Sequence, residues 1–421
     1  MSILPDDLAL GDIMSYGGVL SRVNTYAPAI PQGPYIAGQQ IQVQLPMEMI
    51  DFRNHALEFT IQGSQTGTAP TANTLAFNSD IRSIFKRITI QFGSQIVYDC
   101  IDQNVLYNIL DLKNESTWAS TVGKLNYGTG TLAQRSATFL SSTSYAVQLY
   151  SLDSELLRKV LPLQKLGVQG IITLYLANAN ECIEYQGGDG TTVVGFTVNN
   201  VQFHYSSMNP SPAWDALYND RMKSKGSAAW NYVNYENQFF TSTFNSGLVQ
   251  ASQALSFRYS SLLGLIAVFR PAANLNSYTA QNKMNNFEYP SIANAQLRIG
   301  SYVQPINSTT SVQDLYTMFI ETFGMSIKFP SAASVGFSLT NGQVSQSSPG
   351  TFVLAINTSK HPFEEVDSNN SINGINTAIA NNLVLDLQFS VALPVTYQMD
   401  IFAISEQSLL FNANGSITYQ R

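Results

Sequence analysis

Two stretches decide the fold: ITIQFGSQIVYD, from Ile88 to Asp99, and AQLRIGSYVQP, from Ala295 to Pro305. In the first, Ile88, Ile90 and Phe92 alternate with Thr89 and Gln91, the period of a strand with one buried face. Gly93-Ser94 then turns the chain into a second strand. The second stretch repeats this plan around Gly300-Ser301. A helical pattern follows each hairpin, with Leu106-Tyr107-Asn108-Ile109-Leu110 in one half and Leu315-Tyr316-Thr317-Met318-Phe319 in the other. The offset from Gly93 to Gly300 is 207 residues and from Leu106 to Leu315 it is 209, close to half of a 421-residue chain. Repetition at that distance points to a tandem duplication, against chance likeness between short β patterns.

A second correspondence strengthens it. GIITLYLA then TVVGFTVNNVQFHY, up to Tyr205, resembles LVLDLQFSVA then VTYQMDIFAIS near the end. Period-two alternation recurs elsewhere: Leu57, Phe59 and Ile61; Ile172, Leu174 and Leu176; Leu383, Leu385, Leu387 and Phe389; Val395, Tyr397, Met399 and Ile401. Phe196 and Val198 lead into Val201, Phe203 and Tyr205 with a one-residue slip at Asn199-Asn200, a bulge or a turn. Helices are few: one begins at Asp102 as N-cap, and another spans Val312 to Phe323 with Leu315, Phe319 and Phe323 four residues apart.

The expected fold class is all-β: two tandem antiparallel β-sandwiches with short loop helices. Residues 1–38, with Pro5, Pro28, Pro31 and Pro34 among several glycines, read as an extended arm that orders against a neighbour, or as a tether on its own domain. Residues 39–207 are the expected first sandwich, 208–228 a linker broken by prolines and Gly226, and 229–421 the second sandwich.

Composition narrows the role. Charged residues make up only 12% of the chain, about half the usual level. Neutral amides and hydroxyls carry the polarity instead, so much of the surface is expected to meet other protein, although extracellular β-domains share this bias. The net charge is −7 and the first fifty residues hold one basic side chain, Arg22. Direct, sequence-specific nucleic-acid binding is therefore not expected. Arg221, Lys223 and Lys225 form the densest basic cluster and read as solvated linker. Cys100 and Cys182 have no metal or redox spacing and read as reduced core residues, and the acidic start MSILPDDLALGD does not resemble a signal peptide. Synthesis and folding in the cytosol are expected, which makes Asn114-Glu115-Ser116 and Asn307-Ser308-Thr309 chance sequons.

No catalytic residue, cofactor site or metal site is expected. His55, His204 and His361 lack partners at ligand spacing, and Asp6-Asp7 and Glu364-Glu365 read as loop charges. Gly187 to Gly190 read as a tight turn, with no phosphate-loop Lys-Ser/Thr after them. A glycosidase would need two distant carboxylates brought together. The aromatic run AWNYVNYENQFF, Ala229 to Phe240, is either the first strand of the second domain or a carbohydrate-stacking platform using Trp230 and Tyr235.

SDIRSIFKRITIQFGSQIVYDCIDQNVLYNIL, Ser79 to Leu110, with LPLQKLGVQGIITLYLA, Leu161 to Ala177, resembles the first jelly roll of the double jelly-roll major capsid proteins. That group includes coat proteins of tailless double-stranded DNA viruses, virophages and polinton-like elements, with adenovirus hexon as a larger relative. The resemblance is one of pattern and runs from about Ile41 onward. It implies that the two sandwiches, 39–207 and 229–421, are eight-stranded jelly rolls, and that the chain forms a homotrimer in which six jelly rolls make a pseudo-hexagonal capsomer. Such capsomers tile an icosahedral shell beside minor capsid or penton proteins, often over an internal membrane. It also implies a place in the virion after synthesis in the host cytoplasm. A glycan-binding surface or spike protein is the alternative, and a sandwich-fold hydrolase a third reading.

Overall fold

The computed structural model describes residues 19–66, 75–112, 121–149, 160–165, 167, 169–185, 193–237, 242–278, 280, 283–305, 312–323, 352–359, 374–379 and 382–420. The first unit runs β1 (Val19–Pro28), β2 (Tyr35–Ile36), β3 (Gln40–Leu45), β4 (Met49–Thr66), β5 (Leu75–Phe77), β6 (Phe85–Phe92) and β7 (Gln95–Ile101). Helices α1 (Gln103–Asp111), α2 (Val122–Tyr127) and α3 (Leu132–Phe139) follow. Then come β8 (Thr143–Val147), β9 (Val160–Pro162), β10 (Gly170–Leu176), α4 (Ala179–Cys182), β11 (Ile183–Tyr185) and β12 (Val193–Pro210). Helix α5 (Pro212–Lys225) leads into the second unit: β13 (Ser227–Asn237), β14 (Ser242–Phe244), β15 (Gln250–Leu255), β16 (Leu262–Pro271), β17 (Ile292–Ile299), β18 (Tyr302–Gln304), α6 (Val312–Phe323), β19 (Leu354–Asn357), β20 (Leu383–Phe389), β21 (Tyr397–Asn412) and β22 (Ile417–Gln420).

Each unit is a sandwich of two antiparallel sheets, and the strand order is the same in both. The first unit has β1-β12-β4-β8 over β3-β10-β6-β7, with β2 beside β12 and β9 beside β4. The second has β13-β21-β16-β19 over β15-β20-β17-β18, with β14 and β22 beside β21. Eight strands per unit therefore lie on the two main paths, as expected. The hairpins that open the sequence argument occupy matching places, β6-β7 and β17-β18, and their glycines turn with left-handed φ of 58° at Gly93 and 62° at Gly300. A side chain there would meet its own backbone, so glycine is favoured at both turns.

The inward residues are those the alternation picks out, except Val395, which precedes β21 and is 37% exposed. Leu57, Phe59 and Ile61 of β4 and Phe203 of β12 pack against Ile88 and Ile90 of β6 and Ile172 and Leu174 of β10. Phe59 meets Phe85 edge-on across the two sheets at 5.6 Å between ring centres, and Phe244 meets Phe389 likewise at 6.4 Å in the second unit. The slip at Asn199-Asn200 is a bulge: Asn199 opposes Thr60 and Gln202 opposes Glu58, with Asn200 at a φ of 53°. On β4, Gly63 leaves room for the ring of Phe139 on α3, and a Cβ there would overlap it. Gly63→Val is expected to lower stability by about 1–3 kcal/mol in urea melts, the usual range for overpacking.

Three expectations need correction. Residues 19–28, expected inside an arm, form β1, which pairs with β12 from Val19 opposite Pro210 to Pro28 opposite Gln202. The 18-residue β12 has backbone groups to satisfy on both edges, and β1 supplies one set. Residues 1–18 lie outside the described residues. The segment 208–228, expected as a linker, is largely helix α5. Its Pro212 sits in the first turn, where a missing N–H costs nothing, and Ser211 Oγ accepts from Trp214 N at 3.2 Å. Gly226 closes the helix with a φ of 76°, so the residues read as breakers are its caps. Asp102 is not a side-chain cap for α1: its backbone is left-handed, with a φ of 55°, and its carboxylate is engaged elsewhere.

Candidate functional site: the seam between the jelly rolls

The two units meet where β7, an edge of the first unit's smaller sheet, packs against β13, an edge of the second unit's larger one. β13 takes in residues 229–237 of the aromatic run, and it is buried at Ala228, at Trp230 and continuously from Tyr232 to Asn237. Tyr232 Oη donates to the carbonyl of Val97 at 2.8 Å. Asn237 Nδ2 donates to the carbonyl of Ile101 at 3.1 Å and to Asp102 Oδ2 at 3.2 Å. Asp102 also holds Lys86 at 3.0 Å, and Lys86 reaches Glu181 at 3.2 Å. Burial would lower the Lys86 pKa, but Asp102 and Glu181 more than offset it and raise it.

The chain between β16 and β17 supplies the second half of the seam. Lys283, only 2% exposed, donates from Nζ to the carbonyls of Asn180 and Ile183 in the first unit, each at 2.6 Å, and to that of Ser277 at 3.0 Å. Burial lowers its pKa to about 8. Met284 N donates to Asn78 Oδ1 at 2.9 Å, and Asn78 Nδ2 donates to Glu184 Oε2 at 2.6 Å. Glu184 in turn takes Arg135 at 2.8 Å. Tyr185 N donates to the carbonyl of Tyr278 at 2.8 Å. Close behind, Arg270 of β16 holds Asp400 of β21 at 2.6 Å, both buried. Polar groups buried this thoroughly fix one relative placement of the units, because a displaced seam would leave them without partners.

Sequence reasoning did not find Lys283, Asn78, Glu184 or Asn237 as joining residues. Lys283 sits in the amide-rich AQNKMNNFEYP, and the signal that was present is a lone cation in an otherwise almost uncharged stretch.

The candidate chemical groups are scattered. His55 is buried, with Nδ1 2.6 Å from the carbonyl of Phe52 and Nε2 accepting from Leu149 N at 3.3 Å. His204 pairs with Glu58 at 2.8 Å on the outer face of β12. His361, Asp6, Asp7, Glu364, Glu365, Gly187 to Gly190 and the two sequons lie outside the described residues. Cys100 and Cys182 are buried free thiols; burial pushes Cys182 up to about 12 and raises Cys100 as well, so neither is a nucleophile at neutral pH. Among the described residues, no group of three His, Cys, Asp or Glu side chains could hold a metal, and no helix is long and apolar enough to cross a membrane. Arg221 is half-buried on α5, while Lys223 and Lys225 are exposed there. Trp230 and Tyr235 are buried, Trp230 against Phe411 at 4.4 Å between ring centres, so residues 229–237 of the run belong to the first strand of the second unit and are not an open stacking platform.

No family model matches the chain, and no curated protein matches it. Solved structures do. The chain is similar to PBCV-1 VP54, as fitted into a reconstruction of the virophage Sputnik, with a TM-score of 0.62 at 11% identity over 97% of this chain and 98% of that one. The Sputnik virophage structure gives 0.60 at 12% identity, covering 97% and 89%. The mavirus major capsid protein gives 0.56 at 9% identity, covering 94% and 90%. From end to end, with the same strand order twice over, the chain has the double jelly-roll fold found in these viral capsid proteins.

Proposed function

We propose that this chain is a major capsid protein, a structural shell subunit whose trimers form pseudo-hexagonal capsomers that tile an icosahedral virion. The observation that carries the reading is the repeated strand order joined by a buried polar seam. Two equal units held rigidly side by side give three chains six similar flanks, which is what a near-sixfold tile requires. The low charge of the chain fits extensive contact with copies of itself, and the similar capsid proteins match it over almost its full length. The role is mechanical: no substrate, cofactor or nucleic-acid sequence is assigned to it. Burial of Trp230 and Tyr235 speaks against the glycan-binding alternative, since changing either would disturb a core before it disturbed a ligand.

The purified protein is expected to behave in solution as three 46.2 kDa chains, or to form shell fragments visible by electron microscopy. Light scattering at high concentration that reports a single chain, together with empty micrographs, overturns the reading.

A further inference from the structure

Lys86 and Asn237 share one carboxylate across the seam. Lys86 Nζ lies 3.0 Å from Asp102 Oδ1, and Asn237 Nδ2 donates to Asp102 Oδ2 at 3.2 Å. An amine from β6 of the first unit and a carboxamide from the end of β13 of the second thus sit on the two oxygens of a single acid. Asn237 Nδ2 also donates to the carbonyl of Ile101 at 3.1 Å, which fixes the carboxamide, and Glu181 Oε1 holds Lys86 Nζ at 3.2 Å. Asp102 and Asn237 are buried, 4% and 8% exposed, whereas the Lys86 side chain at 34% borders solvent and leaves a way out for a small product. Asp102 has a left-handed φ of 55°, an uncommon backbone for a residue other than glycine and one that gathers at sites of chemistry. The other lysine of the seam, Lys283, donates to three backbone carbonyls, which hold no leaving group.

We propose that Lys86 and Asn237 join in an isopeptide bond, with Asp102 as the catalytic acid and base, so that the two jelly rolls of one chain become covalently tied. Asp102 and Glu181 keep Lys86 as an ammonium, so the first step passes a proton from Nζ to Asp102. The freed amine attacks Cγ of Asn237, forming a C–N bond and moving the carbonyl electron pair onto Oδ1. As that pair returns, Asp102 hands its proton to Nδ2, the bond from Cγ to Nδ2 breaks, and ammonia departs. The extra proton on the new amide nitrogen passes to Asp102 and leaves with the ammonia. In sum, one ammonium and one carboxamide become one amide and one ammonium ion, with no oxidant and no cofactor. Holding both reactants on one acid supplies the proximity that the same exchange lacks in water.

Mass spectrometry of the denatured full chain tests it. The chain is expected to weigh one ammonia less than its sequence, and a protease digest to contain a branched peptide joining the segments around Lys86 and Asn237. Lys86→Met and the isosteric Asp102→Asn are expected to keep the full sequence mass. Asn237→Asp is expected to yield the same branched product as the parent, by loss of water in place of ammonia. A folded parent chain that keeps its full mass after storage, with Lys86 and Asn237 in separate peptides, overturns the proposal. So does a loss of ammonia traced to any other residue, and a branched peptide in Asp102→Asn overturns the role of Asp102. The parent's own mass decides the matter even where a variant fails to fold. Because the bond lies within one chain, monomeric protein tests it as well as assembled protein does, so it stands or falls apart from the shell role.

Discussion

Replacing Arg270 by Met is expected to destabilise the second jelly roll by about 3–5 kcal/mol, the cost of breaking a buried ion pair from one side. Arg270 Nε lies 2.6 Å from Asp400 Oδ2, and its Nη1 donates to the carbonyl of Lys283 at 3.3 Å. Burial by itself would lower the Arg270 pKa, yet Asp400 raises it, so the guanidinium is charged at every accessible pH. Without it a carboxylate stays buried beside Gln398, which donates to it at 2.6 Å and cannot neutralise it. Urea unfolding at neutral pH measures the loss. Adding Asp400→Asn is expected to restore most of it, because the stranded charge is then gone. A single variant as stable as the parent would show that the pair contributes nothing.

Lys283→Met is the second large effect, and it acts on the seam. The substitution keeps the length of the stem and removes three donated hydrogen bonds; the buried carbonyls of Asn180 and Ile183 lose this donor, while that of Ser277 still accepts from Ala280 N at 3.4 Å. The expected loss is about 2–4 kcal/mol, reduced somewhat because no ammonium then has to be buried. The pH dependence carries the sign. With a folded pKa of about 8 against an ordinary 10.5, the unfolded chain binds more protons between those values. Titration of this lysine therefore adds stability as pH rises through that window, and adds nothing below it. The gap between parent and variant is expected to widen from pH 7.5 to pH 10 in matched thermal melts. A gap that narrows over that range refutes the assignment.

The strands were legible because burial of one face imposes a two-residue period, and Ile88-Ile90-Phe92 and Leu383-Leu385-Leu387 keep it without interruption. The duplication was legible because Gly93 and Gly300 fix identical turns at nearly half-chain spacing. Helix α6 runs from Val312 to Phe323 as its four-residue spacing predicts. Helix α5 was hidden because its ends carry proline and glycine, residues that interrupt a helix in the middle but suit its termini. The seam was the least legible part. Asn237 meets Asp102 across 135 positions, and Lys283 meets Ile183 across 100, so no local pattern marks either. Nor could periodicity separate a buried Trp230 from an exposed one, since strand alternation says which residues share a face and not what lies over it.

The pairing of Val19 with Pro210 has a consequence for biosynthesis. The first sandwich is closed by its own opening and final strands, so an emerging polypeptide holds an unzipped margin until the ribosome has read almost two hundred codons further. Such distant closure is slow, and an open margin of this kind invites sticking to other nascent chains. The yield of folded protein would then depend on how quickly each newborn chain shuts that margin.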